Sequence, residues 1–160
     1  MAIVVEDGSV VTGANSYVTT EELRTYADER GIALTEDEEE QQVLLIKAMD
    51  RIEMFRDRFH GSTLRPGQRL AWPRWYGSNT GIPEELKRAQ IVYAIAARNV
   101  DLIPGASTDT VFTKRKTVGP ITMEYESVGR GTTYPAVPEA DALIARLSGY
   151  AGGQLRVVRG

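Results

Sequence analysis

Among its 160 residues the chain has no cysteine and a single histidine, His60. The first absence excludes a disulfide framework, a thiolate zinc site and a cysteine nucleophile together. The second leaves no imidazole cluster for a metal and one imidazole at most for proton transfer. Long apolar runs are missing too: nothing approaches the roughly 20 residues that cross a bilayer, so no membrane partner is expected. The opening segment from Met1 to Val11 has no basic stretch ahead of its short apolar run, so no secretory leader is expected either. Charge is not in large excess. Lys and Arg total 19 against 22 Asp and Glu, and the net −3 gives no whole-molecule attraction for nucleic acid, leaving only a local patch to supply it. Hydrophobic residues make up 42% and charged ones 26%, an ordinary globular balance with chain enough for one core. The expectation is a soluble, intracellular protein of a reducing compartment.

What is present organises itself by punctuation. Ile3-Val4-Val5 and Val10-Val11, interrupted by Glu6-Asp7-Gly8, predict an extended N-terminal arm over 1–18. Thr19 and Glu22 have capping-box spacing, Val18 and Leu23 are placed for a hydrophobic staple, and Gly31 is a helix stop. Thr35 and Glu38 repeat the box, and the acids through Glu40 suit the positive end of a helix dipole. Leu45, Met49, Ile52, Phe55 and Phe59 then recur at steps of three and four, predicting an amphipathic helix to about Phe59. Lys47, Asp50, Arg51, Glu53 and Arg56 fill its other faces. Residues 61–82, broken by Pro66, Gly67, Pro73, Gly77 and Gly81, predict an ordered loop, and loops of that length usually have a job. Pro83, Glu84 and Glu85 open a third helix, with Leu86, Ala89, Val92, Tyr93, Ala96, Ala97 and Val100 as its buried face.

Beyond Gly105 the period changes to two. Val111 to Val118 reads as one strand, and Ile121, Met123 and Tyr125 alternating with Thr122, Glu124 and Glu126 read as another. A three-residue loop of Gly119, Pro120 and Ile121 would set Lys116 against Glu124 and Lys114 against Glu126. A short helix with apolar Leu143, Ile144 and Leu147 follows. The fold class is therefore mainly α: a small helical bundle of three main helices plus a short C-terminal helix, with a β-hairpin and extended N- and C-terminal arms. Its segments are the arm 1–18, a helical core 19–104 containing the loop 61–82, a linker and hairpin 105–137, the helix 138–149 and a tail 150–160.

The search for chemistry is mostly empty. There is no Gly-rich phosphate loop, no zinc-protease helix and no nucleophile elbow. The carboxylate pairs Glu84-Glu85 and Asp37-Glu38 fall in first helical turns, where acids belong anyway. His60 sits where a histidine would cap a helix C-terminus. No enzyme activity, no metal and no cofactor are expected. The best binding candidate is the stretch Gln68 to Tyr76, in which Trp72, Trp75 and Tyr76 stand beside Arg69 and Arg74. Rings that stack on bases and guanidinium groups that take phosphates are how single-stranded nucleic acid is held. The competing and favoured reading makes Trp72 a core anchor that pins the loop to the helices. The basic strand Thr113-Lys114-Arg115-Lys116-Thr117 either guards a sheet edge or reaches a neighbouring subunit or DNA, because a lone hairpin is marginal in water.

Five motifs stand in a particular order: Ala14-Asn15-Ser16-Tyr17-Val18-Thr19 before a helix, Leu70-Ala71-Trp72-Pro73-Arg74 in the middle loop, Ile82-Pro83 opening a helix, Val118-Gly119-Pro120-Ile121 with Glu124-Tyr125, and Tyr134-Pro135-Ala136-Val137. In this the chain resembles, over nearly its whole length, a tailed-phage family often labelled DnaT-like single-stranded-DNA-binding proteins and similar to head-to-tail adaptors. The resemblance implies a virion neck protein assembled in the host cytoplasm. It would form a homo-oligomeric, dodecameric ring beneath the portal protein, with a stopper or tail-completion protein below and double-stranded DNA passing through without sequence-specific contacts. By the same resemblance the tail residues Leu155, Arg156, Val157 and Val158 would reach the portal. Lateral contacts between subunits would come from Val4 and Val5 of the arm and from Lys114, Lys116, Ile121, Met123, Glu124 and Tyr125 of the hairpin. The alternative function is single-stranded-DNA binding through Arg69, Trp72, Arg74, Trp75 and Tyr76. A mildly acidic surface suits a channel that DNA slides through better than a groove that grips it.

Overall fold

The first helix forms where its cap dictates. In a computed structural model, which describes residues 2–75, 81–103, 111–118, 121–128 and 134–148, α1 spans Thr20–Asp28. The Thr19 hydroxyl accepts the Glu22 N–H at 3.0 Å, and the Glu22 carboxylate accepts the Thr19 N–H at 2.7 Å. Gly31, at φ +63°, turns the chain away from the helix, and the Ile32 amide bonds back to the Ala27 carbonyl at 2.9 Å.

The second helix departs from expectation at both ends. α2 spans Glu38–Glu53, and its N-cap is Asp37, whose carboxylate accepts the Glu39 N–H at 2.9 Å. A carboxylate at that position meets both the free amide and the helix dipole, so it displaces the expected Thr35–Glu38 box. Thr35 instead accepts the Asp37 amide. The helix ends six residues before Phe59, and a single 3-10 turn, Arg56–Arg58, follows. Phe59 is still buried, because the chain there runs to the end of another helix: the His60 N–H donates to the Leu147 carbonyl at 3.1 Å, and Phe59 bridges Ser148. His60 is therefore not the cap of α2, a place taken by Met54. Arg51, assigned to an outer face, is buried.

α3 spans Glu84–Ala96 with Pro83 as its N-cap, and α4 spans Pro138–Leu147. α3 stops short of Val100, which is exposed. α2 and α4 both pack on α3, and α1 leans on α2. Ala48, Ala89, Ala94 and Ala140 are fully buried and let the helices approach closely around Leu45, Ile52, Leu86, Tyr93 and Ile144. The N-terminal arm closes on its own chain. Val5 forms a parallel bridge with Ser16, the Asn15 N–H donates to the Val4 carbonyl at 2.8 Å, and the Asn15 side chain accepts the Val4 N–H at 2.8 Å.

Two short ladders complete the structure. β1 (Ser62–Thr63) pairs antiparallel with β2 (Arg74–Trp75), and β3 (Val111–Val118) pairs antiparallel with β4 (Ile121–Val128). In the longer ladder Val118 stands opposite Ile121, so two residues separate the strands and not three. Every expected pair is shifted by one: Lys116 faces Met123, Lys114 faces Tyr125, and Glu124 faces Arg115. The chain forms two compact units, one from Met1–Leu102 with Ala136–Gly160 and one from Ile103–Pro135 that holds the hairpin.

Candidate functional site

The loop after α2 is closed at its base by the β1–β2 pairs Ser62↔Trp75 and Thr63↔Arg74. Within it Trp72 is 2% exposed and sets its ring edge-on to Phe59, with centroids 6.0 Å apart. The Trp72–Pro73 peptide is cis. The Trp72 backbone N–H donates to the Tyr17 hydroxyl at 3.0 Å, while its indole N–H is buried and has no hydrogen-bond partner among the described residues.

Arg74 also points inward. Its guanidinium donates to four carbonyls, those of His60 (2.8 Å), Ala71 (3.3 Å), Phe59 (3.2 Å) and Gly61 (2.6 Å). Burial, reinforced by the neighbouring Arg56 cation, lowers its pKa from the usual arginine value. The planar fork of five donors is what allows one side chain to cap both ends of the loop.

A second pin comes from Glu53 at the end of α2. One carboxylate oxygen accepts the Ala71 N–H at 2.7 Å, and the other takes Arg56 through Nε at 2.9 Å and Nη2 at 2.5 Å. Arg56 in turn donates to the Gln68 and Arg69 carbonyls. Gln68, itself buried, bonds the Leu70 and Pro73 carbonyls and the Arg65 amide. The Tyr17 hydroxyl lies within 3.5 Å of Glu53, and burial together with that carboxylate pushes its pKa well above the ordinary tyrosine value. Behind Tyr17, Gln90 of α3 accepts the Tyr17 N–H at 2.8 Å and donates to the Ser16 hydroxyl and the Leu45 carbonyl.

Of the residues expected to touch nucleic acid, Trp72 and Arg74 are thus inside the protein, which upholds the core-anchor reading of Trp72. Trp75 is 56% exposed, and Arg69 is exposed with its guanidinium 3.5 Å from the Gly13 carbonyl. Tyr76 lies outside the described residues, as do Leu155, Arg156, Val157 and Val158 of the tail. Val4 and Val5 are half-buried on their own chain. Lys114, Lys116, Ile121, Met123, Glu124 and Tyr125 hold the ladder positions given above. The sequence reading missed Tyr17, Glu53 and Gln90 as pins. Gln90 had a signal, being one polar residue on an otherwise apolar helix face.

A separate groove of about 520 Å3 runs between α1 and α3. Val18, Tyr26 and Ile91 give it apolar walls, and Glu21, Glu22, Glu29 and Glu84 rim it. Its cations are already engaged, Lys87 with Glu84 at 3.4 Å and Arg88 with Glu139 at 2.5 Å. Among the described residues no three acidic or histidine side chains gather as a metal site, and no helix is long and apolar enough to cross a membrane.

The architecture is that of a small mainly-α protein with one loop pinned into its core and a separate two-stranded hairpin. Residues 1–160 match the family described as "Putative DnaT-like ssDNA binding protein", and the chain belongs to that family. No curated protein and no solved structure gives a match.

Proposed function

We propose that the chain is a structural head-to-tail adaptor of a tailed phage or prophage, working as a ring through which DNA passes. The observation that carries this reading is the fate of the aromatic and basic loop: Trp72 and Arg74 are used to fix the fold and present nothing to a nucleic acid. Further support comes from the hairpin, which among the described residues is a two-stranded sheet in a unit of its own, since a two-stranded sheet needs another surface to be stable. The order of motifs through the chain agrees. In this reading the ring partners are further copies of the chain, the portal protein and a neck or stopper protein, and catalysis has no part.

The family's description speaks more directly for a second reading, single-stranded-DNA binding. The contact set is then narrower than the sequence suggests. Trp75 would stack on a base, Arg69 would meet phosphate, and Tyr76 would extend the platform. Light scattering with and without single-stranded DNA at two salt concentrations separates the two. The adaptor reading expects a ring-sized particle, or a mass indifferent to DNA. A salt-sensitive shift onto DNA that Trp75→Ala abolishes would overturn it, because phosphate contacts weaken steeply with salt.

A further inference from the structure

Beyond its first turn α2 has one exposed stripe, and it is narrow. From Gln41 to the cap residue Met54 every position is buried or half-buried except Val43, Lys47, Asp50 and Met54. Steps of four, three and four keep these residues within an arc of about 60° along three helical turns. The stripe is apolar at both ends, with Val43 42% and Met54 40% exposed, and carries one cation and one anion between them. Neither Lys47 nor Asp50 is held in an ion pair among the described residues. The Met54 sulfur takes a contact from Arg51 Nη1 at 3.9 Å, which leaves the side chain exposed.

From either end the order is apolar, charged, charged, apolar, and the two charges are of opposite sign. Such a stripe complements itself when a second copy is turned end for end. The turn sets Val43 against Met54 of the second copy and Lys47 against its Asp50, and the two-fold repeats both contacts. Around the axis the four charges alternate in sign, each lysine lying between two aspartates. A parallel pairing would set lysine on lysine and aspartate on aspartate, so the charges select one orientation. Beside Val43 lies a groove of about 600 Å3 whose lining includes Leu34, Leu44 and Ala97. Methionine is unbranched and fills irregular apolar gaps, so Met54 of the second copy has a place to enter. We propose that α2 is the face of a two-fold dimer, in which two copies of the chain pack their Val43, Lys47, Asp50 and Met54 stripes antiparallel. An isologous contact closes at two copies and builds no ring, so the dimer goes beyond the adaptor reading and does not depend on it. Three helical turns a side make a small interface, and the dimer therefore exchanges with monomer as concentration changes.

Sedimentation equilibrium over a wide range of concentration should show monomer passing to dimer. Lys47→Glu or Asp50→Lys alone sets like charges across the two-fold and should weaken association by about tenfold or more. Both side chains are exposed, so each variant should keep the wild-type melting temperature. An equal mixture of the two single variants should restore the dimer, and so should the double variant, because each recreates opposite charges across the axis. Orientation is tested with thiols, since the chain has no cysteine of its own. Val43→Cys mixed with Met54→Cys should give a disulfide-linked heterodimer in severalfold excess over either homodimer. Wild type that stays monomeric at every concentration overturns the proposal. So does a dimer, or a ring-sized particle, that both charge reversals leave unchanged, and the ring would leave the adaptor reading standing. An excess of Val43→Cys homodimer overturns the antiparallel arrangement.

Discussion

The Tyr17 hydroxyl accepts the backbone N–H of Trp72 at 3.0 Å, joining the segment before α1 to the middle of a loop 55 residues later. Both groups are buried, so the bond has no water to replace it. Tyr17→Phe keeps the ring and removes the acceptor. The Trp72 N–H is then stranded, at a cost of about 1–3 kcal/mol. Urea unfolding of the two proteins measures it, and an unchanged midpoint would show that the loop is held without this bond.

The same tyrosine makes stability depend on alkaline pH. Burial and the Glu53 carboxylate raise the Tyr17 pKa well above its ordinary 10.0, and burial and Asp141 raise that of Tyr93. Above pH 10 the unfolded chain loses protons that the folded chain keeps, so ionisation favours unfolding. The stabilisation is complete below pH 10 and falls as pH climbs toward the folded values, by about 1.4 kcal/mol per pH unit for each tyrosine at full slope. Unfolding followed between pH 8 and 12 should show the decline, shallower in Tyr17→Phe. Parallel curves for the two proteins would contradict it.

Trp72 and Trp75 are three residues apart and should behave oppositely. Trp72→Ala opens the core beside Phe59 and is expected to cost about 3–5 kcal/mol. Trp75→Ala removes a largely exposed ring and should change stability by no more than about 0.5 kcal/mol. Arg74→Lys offers one ammonium to four carbonyls that a guanidinium now caps, and about 2 kcal/mol of stability should go with it. Arg69→Lys is the control and should be near neutral. Thermal melts of the four variants test the ranking, and equal losses for the two tryptophans would contradict it.

How legible each element was depended on how local its cause is. The Thr19–Glu22 box and Gly31 set α1 within a dozen residues, so its limits could be read directly. The end of α2 could not, because the apolar spacing runs on through Phe59 while the chain turns there to meet Leu147, nearly ninety residues away in sequence. The hairpin register was misjudged by weighting Lys–Glu pairs. Such cross-strand pairs contribute only about 0.2–1 kcal/mol each, too little to fix a register by themselves. At the loop, tryptophan beside arginine has the same composition whether it binds bases or caps carbonyls. The burial of Trp72 and Arg74 assigns those two to capping and core packing, and leaves only the exposed Trp75 and Arg69, among the described residues, for bases and phosphates.

Val10 sits at φ +65°, a left-handed conformation that a β-branched side chain disfavours by roughly 1–2 kcal/mol. It is held there by Glu6, a buried carboxylate that accepts the N–H groups of Gly8, Val10 and Val11, each at 2.9 Å. The chain must curl around that carboxylate to bring all three amides to it, and the curl places position 10 in the left-handed region. Asparagine tolerates this conformation and keeps the amide. Val10→Asn should therefore raise stability by about 1 kcal/mol, less whatever apolar burial the half-covered valine contributes. Val11→Asn, at an ordinary φ against the core, should lower it. Melting temperatures of opposite sign for the two variants are the expected result. If both fall together, the arm is governed by side-chain burial and not by the backbone turn that Glu6 imposes.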